Sequence, residues 1–153
     1  MGDYLRITRE CSLSDMLPKL GTAIHDYLEE HDFDDVRADI LFCGETVSTK
    51  QKKGLFSKKS EVIQTGFVLT PQWLIWAVAQ ESKPTAVLAA RLNTIQVEDY
   101  ETSAMYKMVE DNGINVSGLP TSDGPGTAFI GLGPETAAQK FREALKAAIK
   151  AVE

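Results

Sequence analysis

The chain is poor in the residues that most often carry chemistry: among 153 residues there are two cysteines, two histidines and two tryptophans, and acidic residues outnumber basic ones to give a net charge of −6. Cys11 and Cys43 fit neither a CxxC ligand pair nor a disulfide framework, so both are expected as free thiols in a reducing compartment. The negative balance leaves no broad basic face to neutralise a phosphate backbone, which argues against a general nucleic-acid binder. No window holds the ~18 consecutive apolar residues a bilayer span requires, and the opening residues lack the basic, apolar and small-residue regions of a secretory leader; the expected location is the cytoplasm. Gly124, Gly126, Gly131 and Gly133 do not follow a strand into a helix as a phosphate-binding loop requires. His25 and Glu29 share a helical face, but no third ligand is placed by the sequence, and Cys43 has no histidine at strand spacing. No catalytic residue, metal or cofactor is therefore expected.

What is present is patterned for an α+β domain. Glu61 to Gln80 contains two runs of β-branched, aromatic and aliphatic residues separated by Leu-Thr-Pro-Gln, and Pro71 fixes φ and gives up its N–H, so the stretch reads as a β-hairpin. Upstream, Ser12 to Asp15 resembles a helix start, followed by an apolar stripe of Leu17, Leu20, Ile24, Tyr27 and Leu28. From Val36 the period falls to two, predicting a strand that runs to about Ser48. Alternation returns over Thr85 to Leu92 and Ile95 to Tyr100, whereas Ser103 to Asp111 is open between a strand and a helical turn. Ile114 to Gly118 and Thr127 to Leu132 are expected as two further strands joined by a long Gly/Pro loop. Gly133-Pro134-Glu135 then starts a closing helix, with Ala138, Phe141, Leu145, Ala148, Ile149 and Val152 inward and Lys140, Arg142, Glu143, Lys146 and Lys150 outward.

About seven antiparallel strands closed by a C-terminal amphipathic helix resemble the pleckstrin-homology-like barrel, including bacterial PH-like and GRAM-like domains. The stretch Phe67 to Trp76, FVLTPQWLIW, is similar to their hairpin between second and third strands. The resemblance implies a strongly bent antiparallel sheet or barrel over residues 36–153, capped by the closing helix; residues 1–35 lie outside the resemblance and are expected as a helical extension packed on the domain. It also implies a non-catalytic binding or scaffolding module. Phosphoinositide-binding members use basic residues in the first inter-strand loop, which here corresponds to Lys50, Lys52, Lys53, Lys58 and Lys59; the arginine those members place on the following strand is missing between Arg37 and Arg91.

Two surfaces are therefore candidates. The loop over residues 50–59 holds five lysines and no acid, flanking Leu55 and Phe56, and suits peripheral attachment to an anionic membrane. A solvated hairpin tip explains the same residues. Trp73 and Trp76 are three apart on a strand and so face opposite ways: one is expected in the core, and the other, with Phe56, is a candidate anchor for a protein partner or a second copy of the chain. An exposed edge strand or the N-terminal helix would serve the same assembly.

Overall fold

The computed structural model of the protein describes residues 4–33, 36–50 and 61–153. Within them lie two helices and two antiparallel sheets. The first sheet has five strands in sequential order: β1 (Tyr4–Glu10), β2 (Phe42–Lys50), β3 (Val62–Leu69), β4 (Trp73–Gln80) and β5 (Ala86–Arg91). The second has three: β6 (Gln96–Asp99), β7 (Gly113–Thr121) and β8 (Gly124–Gly131). Helix α1 (Pro18–Glu30) connects β1 to β2, and α2 (Thr136–Ala151) closes the described chain. The architecture is α+β, as the patterning predicts, but eight strands form two sheets that do not close, in place of about seven in one curled sheet.

The expected hairpin forms. β3 and β4 pair from Ile63↔Gln80 to Leu69↔Leu74, and the Thr70 hydroxyl accepts the Gln72 and Trp73 N–H groups at 3.2 and 2.9 Å, pinning the turn around Pro71. Both faces of this hairpin are covered. Phe67, Leu69, Leu74 and Trp76 join Phe42, Ile114, Ile130, Phe141 and Leu145 in the core between the two sheets and α2, where the Phe67 and Phe141 rings stack with centroids 4.2 Å apart. Val68, Ile75, Ala77 and Ala79 point the other way, into a second core with Leu20, Ile24 and Leu28 of α1. Gly66 lets that helix come close: a Cβ there would lie 2.5 Å from Met16 Sδ and 3.1 Å from Leu20 Cβ.

Several boundaries differ from the expected ones. Residues 36–39 form a 3₁₀ turn and β2 starts only at Phe42, because a period of two over four residues does not distinguish an extended chain from a tight turn. The open stretch Ser103 to Asp111 contains a 3₁₀ turn at Ala104–Lys107, and a second 3₁₀ turn at Tyr100–Thr102 ends the preceding strand before Tyr100. The long Gly/Pro loop is replaced by paired strand, since Gly118, at φ +86°, accommodates a bulge and brings Pro120 opposite Pro125.

The largest difference is at the N-terminus, which supplies an edge strand as well as a helix. β1 pairs with β2 along its full length, from Tyr4↔Lys50 to Glu10↔Gly44. Its alternation is inverted: Leu5 and Ile7 are 52% and 55% exposed, whereas Arg6 and Thr8 are buried. The inversion is tolerated because every inward polar group is partnered. Arg6 donates two hydrogen bonds to the Asp111 carboxylate, at 2.9 and 2.8 Å, and one to Ser48 Oγ at 2.6 Å, tying the first sheet to the segment that enters β7. Thr8 Oγ1 bonds Thr46 Oγ1 at 2.8 Å and accepts the Gly133 N–H at 2.9 Å.

α1 is capped from a distance. Ser12 Oγ accepts the Asp15 N–H in the preceding turn, while at the helix start the Leu17 N–H donates to Oε1 of Glu45 on β2 at 2.7 Å. A buried carboxylate at a helix N-terminus satisfies a free N–H and complements the helix dipole.

Candidate partner-binding surface

An antiparallel sheet exposes unpaired backbone along its outermost strands, so the four rims of the two sheets are the first places to look for a polypeptide partner. The β1 rim is blocked: Glu135 Oε1 accepts the outward Thr8 N–H at 2.8 Å, and Gly133 lies so close to the Arg6 carbonyl that only glycine fits. The β6 rim is short and charged. Asp99 at its end accepts hydrogen bonds from Arg142 and Lys146 of α2, both at 2.8 Å, and Glu101 takes a further bond from Arg142 at 2.9 Å. Arg142, expected on the wet side of α2, is thus only 11% exposed, because these two acids reach over it. β8 carries Pro125 and three glycines, which weaken a rim for strand addition.

β5 is different. Its sequence, AVLAAR, has no acid, proline or glycine, and among the described strands it pairs only with β4. The Leu92 N–H donates to Gln72 O at 2.9 Å, so in the alternating antiparallel pattern Ala86, Leu88 and Ala90 turn their backbone groups towards β4. Val87, Ala89 and Arg91 consequently point their N–H and C=O groups away from the sheet.

An aromatic cluster adjoins this rim. Trp73 of β4 lies opposite Arg91, whose guanidinium carbon sits 4.9 Å from the indole centroid. Phe33 meets Trp73 edge-on at 4.8 Å, and Tyr27 stacks on His31 at 4.0 Å and on Phe33 at 6.1 Å. Tyr27, Phe33 and Trp73 are half-buried, while His31 and Arg91 are exposed. Trp, Tyr and Arg over a partly desolvated patch make up the composition that concentrates binding energy at interfaces.

Trp76, the other candidate anchor, is only 1% exposed and belongs to the inter-sheet core, so it is not available to a partner. Trp73 faces the α1 side. Of the basic candidates, Lys50 ends β2, half-buried, with its N–H donating to Glu61 O at 2.7 Å; Lys52, Lys53, Phe56, Lys58 and Lys59 lie outside the described residues. His25 and Glu29 form an exposed i,i+4 pair at 3.4 Å beside Asp26, and among the described residues no three His, Cys, Asp or Glu side chains are grouped to hold a metal ion. Among those residues, too, no helix is long and apolar enough to cross a membrane. A groove of about 680 Å³ beside α1, lined by Leu13, Met16, Pro18 and Ile40 together with Ser12 and His25, is mostly apolar but borders neither a free strand nor a large aromatic ring.

Compared with known protein families, curated proteins and solved structures, the chain gives no match. Sequence reasoning singled out Trp73 but not Tyr27, Phe33, Arg91 or the β5 rim. The detectable signal was the run Thr85 to Leu92 itself, a predicted strand without a charge until Arg91.

Proposed function

We propose that this protein is a non-catalytic protein-binding module on a PH-like scaffold, and that it captures an extended segment of a partner polypeptide as an added strand along β5. The observation that carries the reading is the acid-free β5 rim, with the outward backbone of Val87 and Ala89 and the outward Arg91 N–H, beside the Tyr27, Phe33, Trp73 and Arg91 side chains. Main-chain hydrogen bonds supply affinity in strand addition, and the flanking side chains select among sequences. The PH-like part of the proposal is supported by the order of elements from β2 to α2, namely the antiparallel meander β2 to β5, the second sheet β6 to β8, and the closing helix against the core between them.

The test is selection of unstructured peptides displayed against the wild-type protein, followed by affinity measurement on an Ala89→Pro variant and a Trp73→Ala variant. Proline at Ala89 deletes an outward N–H and leaves the β4 ladder intact. The expected result is at least a tenfold loss of affinity in each variant, with new hydrogen-exchange protection at Val87, Ala89 and Arg91 in the wild-type complex. Peptides that bind Ala89→Pro as well as wild type, or no selected peptide together with a monomer by light scattering, would refute strand addition on β5.

A further inference from the structure

The β1–β2 ladder brings together two cysteines that lie far apart in the sequence. Its last regular pair is Glu10↔Gly44, and the next backbone bond, from the Cys11 N–H to Cys43 O at 3.0 Å, makes Cys11 and Cys43 direct cross-strand neighbours. Directly opposed residues of an antiparallel pair send their side chains out on the same face, and the Cα atoms of a hydrogen-bonded pair lie ~5.5 Å apart, within the range a disulfide spans. Cys43 is buried in the core under α1, and Cys11 is half-buried at the margin of that core. The chain contains no third cysteine, so only one intramolecular pairing exists.

We propose that Cys11 and Cys43 form a reversible intramolecular disulfide under a peroxide oxidant, making the end of the β1–β2 ladder a covalent clasp around α1. The Cys11 sulfur, the more accessible, attacks one peroxide oxygen as its thiolate; the O–O bond breaks, one water leaves, and Cys11 becomes a sulfenic acid. The Cys43 sulfur then gives up its proton and attacks the Cys11 sulfur, and the departing hydroxide takes that proton as a second water. Two thiols lose two electrons, one peroxide becomes two waters, and an added dithiol reverses the bond. Three charged groups face the pair: Arg9 on β1, Asp15 in the turn ahead of α1, and Glu45 on β2, whose Oε1 lies 3.9 Å from Cys11 Sγ; Glu10 acts on Cys43 from the other face of the sheet, where it pairs with Lys140. Burial, followed by the Glu45 carboxylate, holds the Cys11 thiol above its ordinary value, and burial pushes Cys43 up to about 12, so closure is slow at neutral pH and quickens as pH rises. The clasp encloses all of α1, including Tyr27, yet this inference does not depend on strand addition at β5.

The test is to treat the whole protein with hydrogen peroxide, quench in acid, and read its mass and alkylatable thiols after denaturation without reductant. The expected product is a monomer lighter by about 2 Da with no alkylatable thiol, restored by dithiol, and with a thermal midpoint higher by roughly 5–10 °C. Peptide mapping should join the segments that hold Cys11 and Cys43, and Cys11→Ser should not lose that mass. Two alkylatable thiols after treatment that oxidises a control dithiol peptide, cross-linked dimers, or Cys11 carried through to the sulfinic acid would each overturn the proposal. The wild-type mass decides the matter even if the serine variant fails to fold.

Discussion

Replacing Asp111 with alanine removes the carboxylate that, among the described residues, pairs with Arg6, a side chain that is 8% exposed. The guanidinium would keep its bond to Ser48 Oγ and its positions 4.6 Å from the Tyr4 ring centroid and 5.2 Å from that of Phe129, but would lose both charge-assisted bonds. Removing one partner of a buried ion pair typically costs about 3–5 kcal/mol, because the remaining charge is left without compensation. Asp111 is 19% exposed, so water reaches the vacated side and the lower end, about 3 kcal/mol, is expected. For a domain of this size that corresponds to a fall of roughly 6–12 °C in Tm. Urea unfolding followed by circular dichroism would measure it, and Arg6→Met combined with Asp111→Leu should recover most of the loss, since both charges leave together. A cost below about 1 kcal/mol for Asp111→Ala, or a double variant as unstable as the sum of the single ones, would show that the pair does not hold the two sheets in register.

Phe141→Ala should cost about 3–5 kcal/mol in the same assay, since the ring is fully buried against Phe42 and Phe67 and its loss leaves a cavity between the sheets and α2. Gly66→Ala should destabilise by about 1–3 kcal/mol, because the new methyl group meets the Leu20 Cβ, which cannot swing away as the Met16 end can. Burial opposes ionisation of Asp99, but the hydrogen bonds from Lys146 and Arg142 outweigh it and leave its carboxyl below the ordinary value. Its contribution to stability is therefore present above the ordinary carboxylate range and is lost as pH falls through the lowered value. Stability measured between about pH 5 and pH 2 should decline less steeply in Asp99→Asn than in wild type.

The elements legible from the residues were those whose side-chain pattern agrees with their burial. The β3–β4 hairpin reads clearly because Pro71 and two apolar runs mark it, and α2 because Phe141 and Leu145 recur at helical spacing. The odd spacing of Trp73 and Trp76 correctly separated them onto two faces, yet only the three-dimensional packing of Phe141 and Leu145 against Trp76 determines which is buried. β1 was illegible for a physical reason: its apolar Leu5 and Ile7 face outward while Arg6 and Thr8 are buried against partners more than 100 residues away, Asp111 and Gly133. No local pattern encodes such partners. The same holds for Cys11 and Cys43, which become neighbours only through the register of a strand that alternation does not reveal, and for Arg142, whose outward helical position is overridden by Asp99 and Glu101.

The seal that Gly133 and Glu135 place over β1 bears on what the protein can build. A sheet able to grow at both margins can polymerise, each newcomer offering a fresh margin to the next. Here one end is stoppered, so a strand added at β5, as proposed, would end the growth: a copy docked there would turn its own stopper outwards. Assemblies made this way are pairs or one-to-one complexes of fixed size, and raising the concentration fills them without lengthening them.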